Sequence, residues 1–116
     1  MIKELGMLAS LMGNKNKIAE EVAKFQQAVP TITAEGVAGA GYVTVKVNGQ
    51  FTVLSVHISA EAMALNDKEM LETFVADATN QAMAKVRELV AQEAQKMAGA
   101  VGLPAGMLGG GFPGLG

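Results

Sequence analysis

Residues 39–58 read GAGYVTVKVNGQFTVLSVHI, and this stretch decides the fold. Two alternating apolar runs flank Asn48-Gly49, the strongest short-range signal for a β-hairpin, because a type I′ turn needs positive φ at both central residues. With that pair at the turn, counting outward sets Val47 opposite Gln50, Val45 opposite Thr52 and Val43 opposite Leu54. Gly41 then faces Val56, and Gly39 faces Ile58. Side chains alternate across a strand, so Val43, Val45 and Val47 share a face with Leu54, Val56 and Ile58. Tyr42, Thr44, Lys46, Phe51, Val53, Ser55 and His57 take the other face, which is mixed in polarity. The first face reads as core and the second as a contact surface.

Upstream, the pattern from about Leu5 to Val29 is helical. At 100° per residue Ile18, Val22, Phe25 and Val29 form a narrow apolar stripe. Gly13-Asn14 interrupts it, so the firmer helix is expected from Lys15 to Gln27, and Pro30 disfavours helical geometry at the residue before it. Such a stripe suits a helical seam or a helix lying on a sheet. Residues 31–35, TITAE, are β-prone and predict a first strand, with the glycines of 36–41 expected to form the turn that follows. Those glycines match no phosphate-cradling pattern, since neither G-x-x-x-x-G-K-[ST] nor G-x-G-x-x-G opening a helix is present.

Downstream, Ser59 is placed to cap a short helical turn through residues 61–64. Asn66 or Asp67 then caps a long helix from about Asp67 to Ala98, with Glu69 and Glu72 near its positive end. Leu71, Val75, Ala78, Ala82, Val86, Leu89 and Val90 form its apolar stripe, with Phe74 at the edge. At 1.5 Å per residue the rod is about 45 Å long, more than a small three-stranded sheet can cover, so its far end is expected to project or to pack on another chain. Residues 102–116, GLPAGMLGGGFPGLG, are too rich in Gly and Pro to offset their ordering entropy and are expected to be a flexible tail.

The whole chain has 116 residues, half of them apolar but only 4% aromatic. This is enough for one domain, with a core built from aliphatic side chains. The expected organisation is one domain over residues 1–101, ordered from about 15 to 98. With no cysteine, disulfides and thiolate metal sites are excluded. No apolar run reaches membrane-spanning length, and Glu4 within the amphipathic N-terminus argues against a signal peptide. The compartment expected is the cytoplasm. The formal charge of −2 gives no whole-chain electrostatic footprint for nucleic acid, so polyanion binding would have to come from local placement of a few bases. His57 is the single histidine; without a second His, a Cys or a carboxylate at ligand spacing it supports neither a metal site nor a catalytic triad. No cofactor and no enzymatic activity are expected.

The order of elements predicts an α+β fold. Gly39-Ala40-Gly41 leads into Val43-x-Val45-x-Val47-Asn48-Gly49, then Val56-His57-Ile58, Asp67-Lys68-Glu69-Met70-Leu71-Glu72 and Asn80-x-Ala82. In that order and spacing these blocks resemble the YbaB/EbfC family of small bacterial nucleoid-associated proteins, from about Leu8 to the tail. The resemblance implies an α-β-β-β-α protomer that dimerises through its three-stranded antiparallel sheet with long flanking helices projecting. It also implies double-stranded DNA as a partner, bound with little sequence specificity, and a nucleoid location. Relatives often carry bases on the second hairpin strand, where Leu54 and Ser55 stand here.

Candidate DNA-contacting residues are Lys15, Lys17, Lys24, Lys85, Arg87 and Lys96. Lys17 and Lys24 share a flank of the first helix, Lys85 and Lys96 share a face of the long helix, and Arg87 lies opposite. Two-fold symmetry would duplicate each group into basic ridges able to hold phosphates without reading bases. Taken without the resemblance, the same lysines fit a solvated surface balanced by neighbouring glutamates. Candidate dimer-interface residues are Tyr42, Phe51, Val53, Val86, Leu89 and Val90. The alternative function is a dimeric protein-interaction module that uses the second sheet face and the apolar residues of the tail, with no direct DNA binding.

Overall fold

The computed structural model describes residues 16–102; the expectations for residues 5–15, Lys15 included, and for the tail from 103 onward lie outside the described residues. The chain is α+β. A helix, α1, covers residues 16–28 and passes into a 3-10 turn at Val29–Thr31, where Pro30 withdraws a backbone donor. Then come β1 (Thr33–Ala38), β2 (Val43–Asn48) and β3 (Val53–Ile58), in the spatial order β1-β2-β3, all antiparallel. A short helix α2 (Ala60–Ala64) and a 33-residue helix α3 (Lys68–Ala100) follow. Both helix starts are capped by side chains. Ser59 Oγ accepts from the Ala62 amide at 3.1 Å and Asp67 Oδ1 from the Met70 amide at 3.1 Å, each satisfying a donor that the helix leaves unpaired.

The described residues form two compact units, residues 29–90 and residues 16–28 with 91–102, and α3 contributes to both. In the first unit, Val43, Val45 and Val47 are completely buried on one sheet face, and each such burial contributes about 2 kcal/mol. Ala34, Gly36 and Ala38 pair with Val47, Val45 and Val43 and so share that face. Ala78, Ala82 and Val86, four apart on α3, are also fully buried. Their small size has a counterpart in the sheet. A Cβ on Gly36 would overlap the Ala78 carbonyl oxygen and stand 2.7 Å from the Ala82 amide nitrogen. Helix backbone therefore lies directly against strand backbone at Gly36, an approach only glycine permits. In the second unit, Ala94 and Ala98 are buried while Val22 and Phe25 of α1 are half-buried.

The hairpin exists, but its turn differs from the expected one. Asn48 is the first residue of the turn, not its centre: Phe51 N donates to Asn48 O at 2.9 Å, Asn48 N to Thr52 O at 3.0 Å, and positive φ falls at Phe51 (58°). This is the three-residue loop in which a tight turn is followed by a left-handed residue. Asn48 is buried, and its Oδ1 accepts from the Gln50 and Thr52 amides at 3.0 and 3.2 Å, so its side chain stabilises the loop locally. Gly49 is needed for close approach: its amide donates to Ile32 O at 2.8 Å, and a Cβ there would overlap the Val29 carbonyl oxygen.

The longer loop moves the register by four residues. Val43 pairs with Ile58, Thr44 with His57 and Val45 with Val56, and an irregularity at Lys46/Val47 pairs Lys46 with Ser55 but Val47 with Val53. Val53 thus joins the Val47 face, contrary to the simple alternation. β1 also starts and ends later than expected and takes in Gly36, Val37 and Ala38. The true β1–β2 turn has positive φ at Ala40 (56°) and Gly41 (102°), closed by Tyr42 N donating to Gly39 O at 3.3 Å. Positive φ at adjacent turn residues, expected at Asn48-Gly49, occurs here instead, at Gly39 (64°) as well.

Gly36→Ala is expected to lower folding stability by about 3 kcal/mol, measured by urea denaturation, because neither backbone can yield to the added methyl group.

Candidate nucleic-acid interface

The positive side chains of the described residues divide into those already engaged and those left open. Lys24 Nζ lies 3.2 Å from Glu21 and 3.7 Å from Glu20, and the Glu21 hydrogen bond and charge, followed by the Glu20 charge, raise its pKa. Lys96 pairs with Glu93 at 3.7 Å and Lys68 with Glu72 at 3.8 Å. All three lysines are largely solvent-exposed, so these pairs contribute little stability, but each offsets a positive charge locally. Glu21, Lys24, Phe25, Glu93, Lys96 and Met97 line one shallow cleft, whose two lysines and two glutamates cancel. It offers no net charge to a phosphate.

Lys85 has a structural task. Its Nζ donates to the Glu35 carbonyl oxygen at 2.9 Å, while one turn earlier Gln81 Oε1 accepts from the Val37 amide at 3.2 Å. Both backbone groups belong to β1 and point away from β2. Two side chains of α3 therefore satisfy the open edge of β1, which would otherwise present unpaired donors and acceptors to other chains.

Lys17 and Arg87 are exposed and make no ion pair or hydrogen bond among the described residues. Lys46, which the sequence pattern did not single out as a DNA contact, also has no such partner. It is half-buried at mid-strand on the outer sheet face. Its signal was available in the alternation of β2, which sets Lys46 apart from the buried valines.

The other edge of the sheet contrasts with β1. Val53, Leu54 and Val56 are 42%, 49% and 47% exposed, and β3 carries no Lys, Arg, Asp, Glu or Pro. Its outer edge pairs with no strand among the described residues. Of the interface candidates, Phe51, Val53 and Leu89 are exposed, whereas Val86 and Val90 are buried. Tyr42 is half-buried, with its ring 6.2 Å from that of Phe74. Among the described residues no cluster of His, Asp or Glu is placed to hold a metal ion, and no helix is long and apolar enough to cross a membrane.

The model of the YbaB/EbfC DNA-binding family matches residues 5–101. The chain belongs to this family. It is 38% identical over 100 residues to a nucleoid-associated protein of Granulibacter bethesdensis, covering 86% of this chain and 94% of that protein. A nucleoid-associated protein of Bacillus thuringiensis is 36% identical over 108 residues, covering 87% and 99%. Among solved structures, an uncharacterized protein of Helicobacter pylori superposes with a TM-score of 0.63 at 23% identity, over 75% of this chain and 91% of that one. This last likeness concerns the fold alone.

Lys85→Met keeps the aliphatic stem and removes the donor. It is expected to cost about 1 kcal/mol in urea denaturation, with the Glu35 carbonyl returned to solvent.

Proposed function

We propose that this protein is a homodimeric nucleoid-associated protein that binds duplex DNA with little sequence specificity. The observation that carries the dimer is the asymmetry of the sheet: β1 is closed by Gln81 and Lys85, and β3 pairs with no other strand than β2 among the described residues, carries no acidic residue, Lys or Arg and exposes Val53, Leu54 and Val56. An unprotected strand of this kind invites pairing with another strand. A second copy meets the need most simply, because antiparallel pairing of β3 with itself about a two-fold axis is self-complementary. It would also cover Val53 and Val56, which α3 leaves wet.

DNA binding is supported by family membership and by Lys17 and Arg87, which are exposed and make no ion pair among the described residues. Long cationic side chains at exposed positions suit phosphate oxygens, which fix a protein on a duplex without conveying sequence. The acidic balance of the whole chain fits binding that is modest and strongly salt-dependent. A bacterial cytoplasmic, nucleoid location follows from this reading. The protein-interaction alternative uses the second sheet face together with the tail, and the tail lies outside the described residues.

Sedimentation at micromolar concentration is expected to give a dimer for the natural chain and a folded monomer for Val56→Lys. A monomeric natural chain would remove the dimer from the proposal. Titration of unrelated duplexes between about 50 and 200 mM salt, a span over which phosphate binding weakens steeply, is expected to show affinity falling similarly for each. Lys17→Ala and Arg87→Ala should each reduce the salt slope by about one for every phosphate the side chain held.

A further inference from the structure

The outer face of the sheet carries a group of side chains that the helix-based reading does not use. By register, Thr44 of β2 pairs with His57 of β3, and Lys46 pairs with Ser55. Within each strand the two members lie two apart, so all four side chains share one face and form a compact square. Every one of them can donate a hydrogen bond: two hydroxyls, one ammonium and one imidazole. Lys46 and His57 make no ion pair or hydrogen bond among the described residues. The charged and titratable groups around the square are Glu35, opposite Lys46 on β1, and Tyr42, in the turn just before β2. Glu35 forms no ion pair with Lys46 among the described residues. The buried valines and α3 occupy the opposite face of the sheet.

We propose that Thr44, Lys46, Ser55 and His57 form a second phosphate-contacting surface, which takes backbone phosphates of duplex DNA on the outer face of the sheet. A group of donors around one fixed cation is complementary to an oxyanion, with Glu35 opposite Lys46 and the exposed Val37 opposite Thr44 at its β1 border. The proposal rests on the DNA-binding reading above. Pairing along the β3 edge would leave this face open and join two such squares across the two-fold axis. Lys46 supplies the permanent charge, and the two hydroxyls and the imidazole supply further donors. Glu35 opposes that charge.

The test uses the full chain and one duplex of arbitrary sequence, roughly 30 base pairs long so that about three turns of backbone are offered. Lys46→Met is expected to weaken binding about fivefold and to lower the salt slope by about one for each phosphate no longer neutralised. His57→Phe removes one donor and should weaken binding a few-fold, and Glu35→Gln should strengthen binding a few-fold. Far-UV circular dichroism and sedimentation check that each variant keeps its fold and oligomeric state. If these three variants bind as the natural chain does while Lys17→Ala and Arg87→Ala weaken, the sheet face does not touch DNA and the proposal fails with the DNA reading intact. If the natural chain binds no duplex at low salt, the DNA reading fails. The square is then judged by NMR with inorganic pyrophosphate: saturable shifts of the His57 ring protons, lost in Lys46→Met, support a phosphate site, and their absence overturns it.

Discussion

The structure depends on one close approach, that of the α3 backbone to the β1 backbone at Gly36. Without a side chain between them, Ala78 and Ala82 settle directly onto the strand. From that seat the following turn of α3 reaches past the strand, so that Gln81 meets the Val37 amide and Lys85 the Glu35 carbonyl. Core packing and edge protection thus have one cause. A larger residue at 36 would lift the helix, wet the valines of β2 and withdraw both edge contacts together.

This arrangement also sets what the sheet offers to other molecules. The helix closes one edge with polar side chains and leaves the opposite edge bare, so the two sides of a small sheet acquire different properties. An aliphatic, uncharged strand such as β3 is a liability in isolation, and natural chains seldom leave one exposed unless it is covered in the working assembly. The same helix commits a lysine to the fold. Lys24, Lys68 and Lys96 are offset by glutamates of their own helices, and among the described residues few positive groups remain for a polyanion. In a chain with a net charge of −2, which cations remain open matters more than how many there are.

Much of the fold was legible in the residues. Ser59 and Asp67 cap helices as their side-chain chemistry requires, Pro30 ends α1, and the alternation of Val43, Val45 and Val47 marks the core face. The hairpin turn departs from its local signal for a specific reason. Asn-Gly is the preferred centre of a type I′ turn, but here Asn48 uses its side-chain oxygen to hold two amides and starts a longer loop. The residue with positive φ is Phe51, which no local preference selects.

Sequence alone determined the element order, the core valines of β2, the capped helix starts and the family, because periodicity, turn chemistry and short-range capping act over a few residues. Leu54 and Val56, expected in the core with them, stay about half exposed because α3 does not reach β3. Tertiary structure decided the register, the placement of Val53, the use of Lys85 in the fold and the lack of a partner for Lys46 among the described residues. The register depends on Gly49 fitting beneath the Val29 carbonyl, and the fate of Lys85 on a strand fifty residues earlier in the chain. Such contacts join distant segments through space, and their geometry is written in no local stretch of residues.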